Sequence, residues 1–387
     1  MSVEISFDAI VTLLLFLVGV PVLVLQFMSP EIRNVLNVGK RIIRATGIYL
    51  IICILIIIIA IVVGENKATP QSWIPWVWVF LYTSLFCMVG ISSFNILSKY
   101  GFRENLLREL TEKILIASSR TDKLNEENLR DLIEIGKQSN PGPDRGMVLD
   151  SMRLLVDNIC KHDKYKGDSL ENLIIGIVHI LVTRPTVEDT SNYQTAAGIL
   201  TTVLSSKANN GNETIFVDQF HAVNAMSTLG QTMLSQEDFS TEVDYILMDF
   251  EEALGLVVSL HPDLLSDVTQ ALLNMGSVAI NHKRYLFAVA AFERMLTMIE
   301  VNKPVTAKPK AELLGLAAHF WSADGSNRDF IKMRIPRVSA LVADELPNEL
   351  EKASQRFQMT MRFDTADKLC QMANEFRPPP RTPRKKK

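Results

Sequence analysis

Three long runs without an acidic or basic side chain crowd the first 98 residues of this chain, and a mostly polar stretch follows them to residue 387. A hydrocarbon core of roughly 30 Å takes about 20 helical residues to cross. The runs therefore predict transmembrane helices over residues 9–27, 46–63 and 73–97. The β-branched stretch in the second run is no obstacle, because in lipid only helices and closed barrels satisfy their own backbone groups. A cleaved leader fits the first run poorly: Glu4 and Asp8 precede it with no lysine or arginine, and no Ala-x-Ala site follows. It reads as a retained helix, bent at Pro21.

Charge then predicts orientation. The connector between the first two runs holds Arg33, Lys40, Arg41 and Arg44 against Glu31, whereas the second connector has only Glu65 and Lys67. Basic connectors mark the cytoplasmic side. This places the amino terminus outside and the large carboxy-terminal region in the cytoplasm, as in a prokaryotic inner membrane. Trp73, Trp76 and Trp78 fall where aromatic anchors at a lipid interface belong. The carboxy-terminal residues 374–387 are basic and proline-rich, which predicts a disordered tail. The six basic side chains of residues 377–387 leave the rest of the chain at −9 against −3 for the whole. Arg381, Arg384, Lys385, Lys386 and Lys387, together with the basic connector, are the expected contacts to lipid headgroups or to a partner.

From Phe102 onward the apolar period is helical. Leu106, Leu107, Leu110, Ile114 and Leu115 make one stripe, and Leu124, Leu129, Leu132, Ile133 and Ile135 the next. Residues 99–139 read as a helical stalk. The breaker Asn140-Pro-Gly-Pro-Asp-Arg-Gly146 reads as a hinge, and residues 147–373 as a cytoplasmic α-helical domain. Helical patterns recur there over 147–161, 169–183, 190–207, 215–234, 238–259, 262–280, 284–301, 308–321, 327–343 and 345–373. The predicted fold class is all-α: three transmembrane helices followed by a cytoplasmic helical bundle or α-solenoid.

Leu272, Met275, Gly276, Ala279, Ala288, Phe292 and Met295 have the spacing of paired helices with small residues at the crossing. Over about residues 269–302 the chain resembles a tetratricopeptide-like helical repeat. Ala279 stands where the repeat carries a larger residue. A second candidate begins at Met226-Ser-Thr-Leu-Gly230, with Glu242 where a small residue is expected. The resemblance implies stacked helix pairs that bind another protein.

Sequence chemistry is sparse. No phosphate-binding glycine loop, nucleophile elbow, zinc-protease helix or calcium loop is present. The four cysteines, Cys53, Cys87, Cys160 and Cys370, lack the spacing of a disulfide framework or zinc knot. Cys160-Lys-His162-Asp163 gathers ligand types without partner spacing, and Asp249, Glu251 and Glu252 read as a solvated helix face. No catalytic residue, cofactor or metal is expected, and the acidic body argues against a nucleic-acid partner. The expectation is a membrane-anchored adaptor or regulator that presents a helical protein-binding domain at the cytoplasmic face. Its partners would be lipids and another protein, and a homo-oligomer is compatible with the pattern. The alternative is a subunit of a multimeric channel or signalling assembly.

Overall fold

The computed structural model describes residues 103–121, 126–161, 169–206, 213–236, 242–302, 305–323, 325–342 and 345–377, with Arg44, Ile48 and Ile51. These form thirteen α-helices and no strand, and the chain divides into two compact units.

The first unit comprises residues 1–140 and 150–155. Its described helices are α1 (Arg103–Thr121) and α2 (Glu126–Gln138). Leu106, Leu107, Leu110 and Ile114 of α1 are buried, as are Leu129, Leu132 and Ile135 of α2. That i, i+3, i+4 spacing gives each helix one apolar stripe, and α1 and α2 pack together. Ser139 Oγ, just past α2, donates to the Ile135 carbonyl at 2.6 Å and so satisfies one of the orphan acceptors at the helix end.

The second unit holds residues 141–149 and 156–387. Helix α3 (Pro143–Lys161) begins after a turn in which Gly142 has φ +84°, with Pro143 pre-set for the first helical position. Five pairs follow: α4 (Ser169–Val182) with α5 (Thr190–Ser205), α6 (Glu213–Ser235) with α7 (Glu242–Leu260), α8 (Leu265–Asn281) with α9 (Tyr285–Val301), α10 (Ala307–Ser322) with α11 (Ser326–Leu341), and α12 (Leu346–Met359) with α13 (Phe363–Phe376).

Contacts run between every second helix. In one layer α4 packs on α6, α6 on α8, and α8 on α10; in the other α5 packs on α7, α7 on α9, and α9 on α11. Helix α10 then receives both members of the last pair, α12 and α13. This is a two-layer stack of helix hairpins. The first layer is held by close apolar approach: a Cβ on Gly230 of α6 would collide with Met275 of α8, and one on Gly276 of α8 would sit 2.9 Å from Leu316 of α10. The second layer also carries ion pairs from helix to helix. Glu251 of α7 pairs with Arg294 of α9, Glu293 of α9 with Arg334 and Arg337 of α11, and Glu300 with Arg337. Between the layers, the rings of Phe292, Phe320 and Phe330 from three successive helices pack with centroids 5.2–5.9 Å apart.

All seven residues that carried the repeat spacing are buried: Leu272, Met275, Gly276, Ala279, Ala288, Phe292 and Met295. Shifted by 78 positions, Leu350, Ala353, Ser354, Phe357, Ala366 and Ala373 are buried as well, and Cys370 is half-buried. The two hairpins share one turn. Lys283 and Met361 both adopt left-handed φ, 59° and 58°, and the next residue's N–H donates five residues back: Arg284 to Ala279 and Arg362 to Phe357, each at 2.8 Å. Such a turn closes a helix by satisfying its last carbonyls. It also splits the 345–373 segment, expected as one helix, into α12 and α13.

The expectation of three transmembrane helices feeding a cytoplasmic body is corrected. Among the described residues no helix is long and apolar enough to cross a membrane. The longest, α6, has 23 residues, but Gln219, His221, Asn224 and Gln231 interrupt its apolar character. The spans expected over 9–27, 46–63 and 73–97 lie outside the described residues apart from Ile48 and Ile51. The membrane-anchored adaptor, the channel or signalling-assembly subunit, the lipid partnership, the outside amino terminus and the inner-membrane placement all rested on those spans. No described helix supplies one, and the fold that is described is an all-α stack of helix pairs.

Candidate functional site

Arg44 is helical and exposed, and it alone of the residues expected at lipid or partner is described. Arg33, Lys40, Arg41, Arg381, Arg384, Lys385, Lys386, Lys387 and the tryptophans Trp73, Trp76 and Trp78 lie outside the described residues. His162 and Asp163 do too, and among the described residues no group of three potential ligands could hold a metal. Burial, then the nearby carboxylates of Asp157 and Asp218, push the Cys160 thiol up to about 11, which leaves it protonated and unreactive near neutrality. In the acidic group, Asp249 and Glu252 are exposed, but Glu251 is buried against Arg294. The partner lies 43 residues on, beyond the reach of helical spacing.

Two polar clusters stand out in the second unit. In the first, Arg145 and Asp189 are fully buried, with Arg145 Nη1 donating to Asp189 Oδ2 at 2.5 Å and to the Arg184 carbonyl at 2.8 Å. Asp189 Oδ1 accepts from the Gly142 N–H at 3.0 Å and from Asn192 Nδ2 at 2.8 Å. The same Asn192 amide reaches the Gly142 carbonyl at 2.8 Å. Burial and the Asp189 charge hold the neighbouring Tyr193 phenol well above its ordinary range. With both carboxylate oxygens engaged by the protein itself, the cluster ties the 141–146 turn to residues 184–192 and presents nothing to a substrate.

The second cluster borders an open groove of about 270 Å³. Gln270 of α8, Lys308, Ala311 and Glu312 of α10, and Arg356, Phe357 and Met359 of α12 line it, with Thr360 and Arg362 from the following turn. The left-handed Met361 aims Arg362 back along α12, so that its guanidinium lies 4.8 Å from the Phe357 ring centre. Arg362 Nη2 donates to Asn274 Oδ1 at 2.9 Å, and Gln270 Nε2 shares that acceptor at 3.1 Å. Arg362 Nη1 reaches Glu312 Oε2 at 3.3 Å. Burial raises the Glu312 carboxyl above its ordinary range, opposed by the charges of Arg362 and Lys308.

Behind this wall His319 of α10 is buried. Its Nδ1 accepts from Lys368 Nζ at 3.1 Å, which leaves the proton on Nε2 to donate to Thr365 Oγ1 at 3.1 Å. Burial, then the Lys368 charge, lower its pKa to about 4. The imidazole is therefore a neutral strut between α10 and α13.

The turn that lines the groove also exposes large apolar side chains. Met359, Met361 and Phe363 are 79%, 81% and 60% exposed within five residues of chain. Sequence reasoning missed this site because it read 345–373 as one helix and so placed no turn there. The available signal was the Arg-aromatic pair: Arg362-Phe363 repeats Arg284-Tyr285 at the same point of the earlier hairpin. What the groove offers is recognition: an apolar wall, cations at the rim, and one buried carboxylate already committed to Arg362. No family model matches this chain, and neither a curated protein nor a solved structure matches it.

Proposed function

We propose that the second unit is a protein-interaction module, a tetratricopeptide-like stack of helix pairs that takes a segment of another protein along the groove between α8, α10 and α12. One observation carries this reading. The α12–α13 turn exposes two methionines and a phenylalanine beside a groove walled by a buried phenylalanine, an arrangement that folding alone does not call for. Methionine suits such a surface because its unbranched, polarizable side chain conforms to varied partners. The repeat reading is supported by the matching burial of positions 78 residues apart and by the shared turn.

The test is site-specific photo-crosslinking in the full-length protein, with the crosslinking side chain placed at Met361 or, as control, at exposed Leu256 on the opposite layer. A discrete protein adduct from position 361, absent from position 256, is expected. Equal labelling at both positions, or no adduct at 361, would overturn the proposal.

A further inference from the structure

We infer that the segment taken by this groove is an acidic amphipathic one, with apolar side chains set against Met359, Met361 and Phe363 and a carboxylate held at the rim by Arg356 and Lys308; the inference rests on the interaction reading above. Charge complementarity selects the occupant. Three cations surround the groove, and one of them, Arg362, is spent within the protein on Glu312 and Asn274. Arg356 is exposed and makes no ion pair with any described residue, while Lys308 has only Asp267, at 3.8 Å. The one carboxylate in the lining is Glu312, buried to 4% and opposed by Arg362. A basic segment would meet Arg356 and Lys308 at the cost of like-charge contact, because the nearby carboxylates Glu312, Asp267 and Asp364 are already paired with Arg362, Lys308 and Lys368.

The apolar half of the surface sets the size of the occupant. Met359 lines the groove while the exposed Met361 and Phe363, on the same turn, do not, so covering all three calls for several side chains in sequence rather than a compact small molecule. An amphipathic helix laying apolar residues at i, i+3 and i+4 along such a surface, with carboxylates on the flank, satisfies both halves at once.

The probe is a fluorescein-labelled peptide of leucine and glutamate at that helical spacing, with a second peptide carrying glutamine for glutamate, titrated against the full-length protein by fluorescence anisotropy. The glutamate peptide should bind, the glutamine peptide should bind at least about tenfold more weakly, and Arg356→Glu should weaken the glutamate peptide to a similar degree. Raised salt should narrow the gap between the two peptides. Because Arg356 is exposed, the variant should keep the fold, with a melting temperature only slightly lowered by a carboxylate in the last turn of α12. Equal affinity for both peptides, binding of neither, or indifference to Arg356→Glu overturns the inference. A Met361 crosslink to a basic partner segment would also overturn it while leaving the interaction reading intact, whereas loss of the Met361 adduct itself removes that reading.

Discussion

The α8–α9 and α12–α13 hairpins share a turn and differ in what the turn presents. In the first, the left-handed position is Lys283, and the following Arg284 pairs with Asp244 of α7 at 3.5 Å. In the second, it is Met361, and the following Arg362 lies over Phe357 and reaches Glu312 and Asn274. The backbone bonds that close the two turns are the same length, so the turn geometry is common to both hairpins. The difference lies in the side chains. A charged residue at the left-handed position keeps the first turn solvated, and an apolar one makes the second a contact surface. Scaffold and site can thus be separated within one structural unit.

Equivalent positions allow that separation to be tested. Phe292 is buried at the centre of the three-ring cluster, and its counterpart is the half-buried Cys370 beside Ser354. Phe292→Ala should cost about 3–5 kcal/mol in denaturant unfolding, and Cys370→Ala about 1 kcal/mol or less. Equal costs would mean that the two hairpins carry the stack alike and that the contrast drawn between them fails.

The second hairpin should also be the acid-sensitive one. His319 faces Thr365, Lys368, Asp364 and Arg362, and it stays neutral in the fold down to about pH 4, against 6.5 when unfolded. Below pH 6.5 the unfolded chain takes up a proton that the folded one refuses. Stability is thus complete above that pH and lost as pH falls toward 4, by up to about 3 kcal/mol over the window. His319→Gln should flatten that slope in a pH series of unfolding curves.

The two arginines sharpen the contrast further. Arg362→Ala strips a buried carboxylate of its cation and uncovers Phe357, a loss of about 2 kcal/mol. Arg284→Ala removes a longer pair, 3.5 Å against 3.3 Å, whose carboxylate is less deeply buried than Glu312, worth about 1 kcal/mol. The smallest effect concerns the turns themselves. Lys283→Gly and Met361→Gly should each stabilise by up to about 1 kcal/mol, since glycine has no Cβ to strain at positive φ. Only the Met361 variant should reduce the peptide-bound fraction, which separates turn strain from recognition.

The helices were legible because each has an apolar stripe of period 3.6 that needs no distant partner to be recognised. The segments expected at 190–207, 262–280 and 284–301 are answered by α5 at 190–205, α8 at 265–281 and α9 at 285–301. The missed boundary between α12 and α13 shows the limit. Met359-Thr-Met361-Arg-Phe363 holds neither glycine nor proline, and its left-handed residue is a methionine. Composition therefore gave no break, although the Arg-aromatic echo of Lys283-Arg284-Tyr285 was present. The buried ion pairs were opaque for another reason. Glu251 with Arg294, Glu312 with Arg362 and Arg145 with Asp189 are separated by 43, 50 and 44 residues.

By itself the sequence determined that the described chain is helical and where most helices start and stop, because helical period is a local property. The tertiary structure decided which acids are buried and paired, that a second hairpin copies the first, and that a methionine-lined turn faces a cationic groove. Those facts depend on which helix packs beside which, and a contact between side chains 40 or more residues apart leaves no periodic trace along the chain.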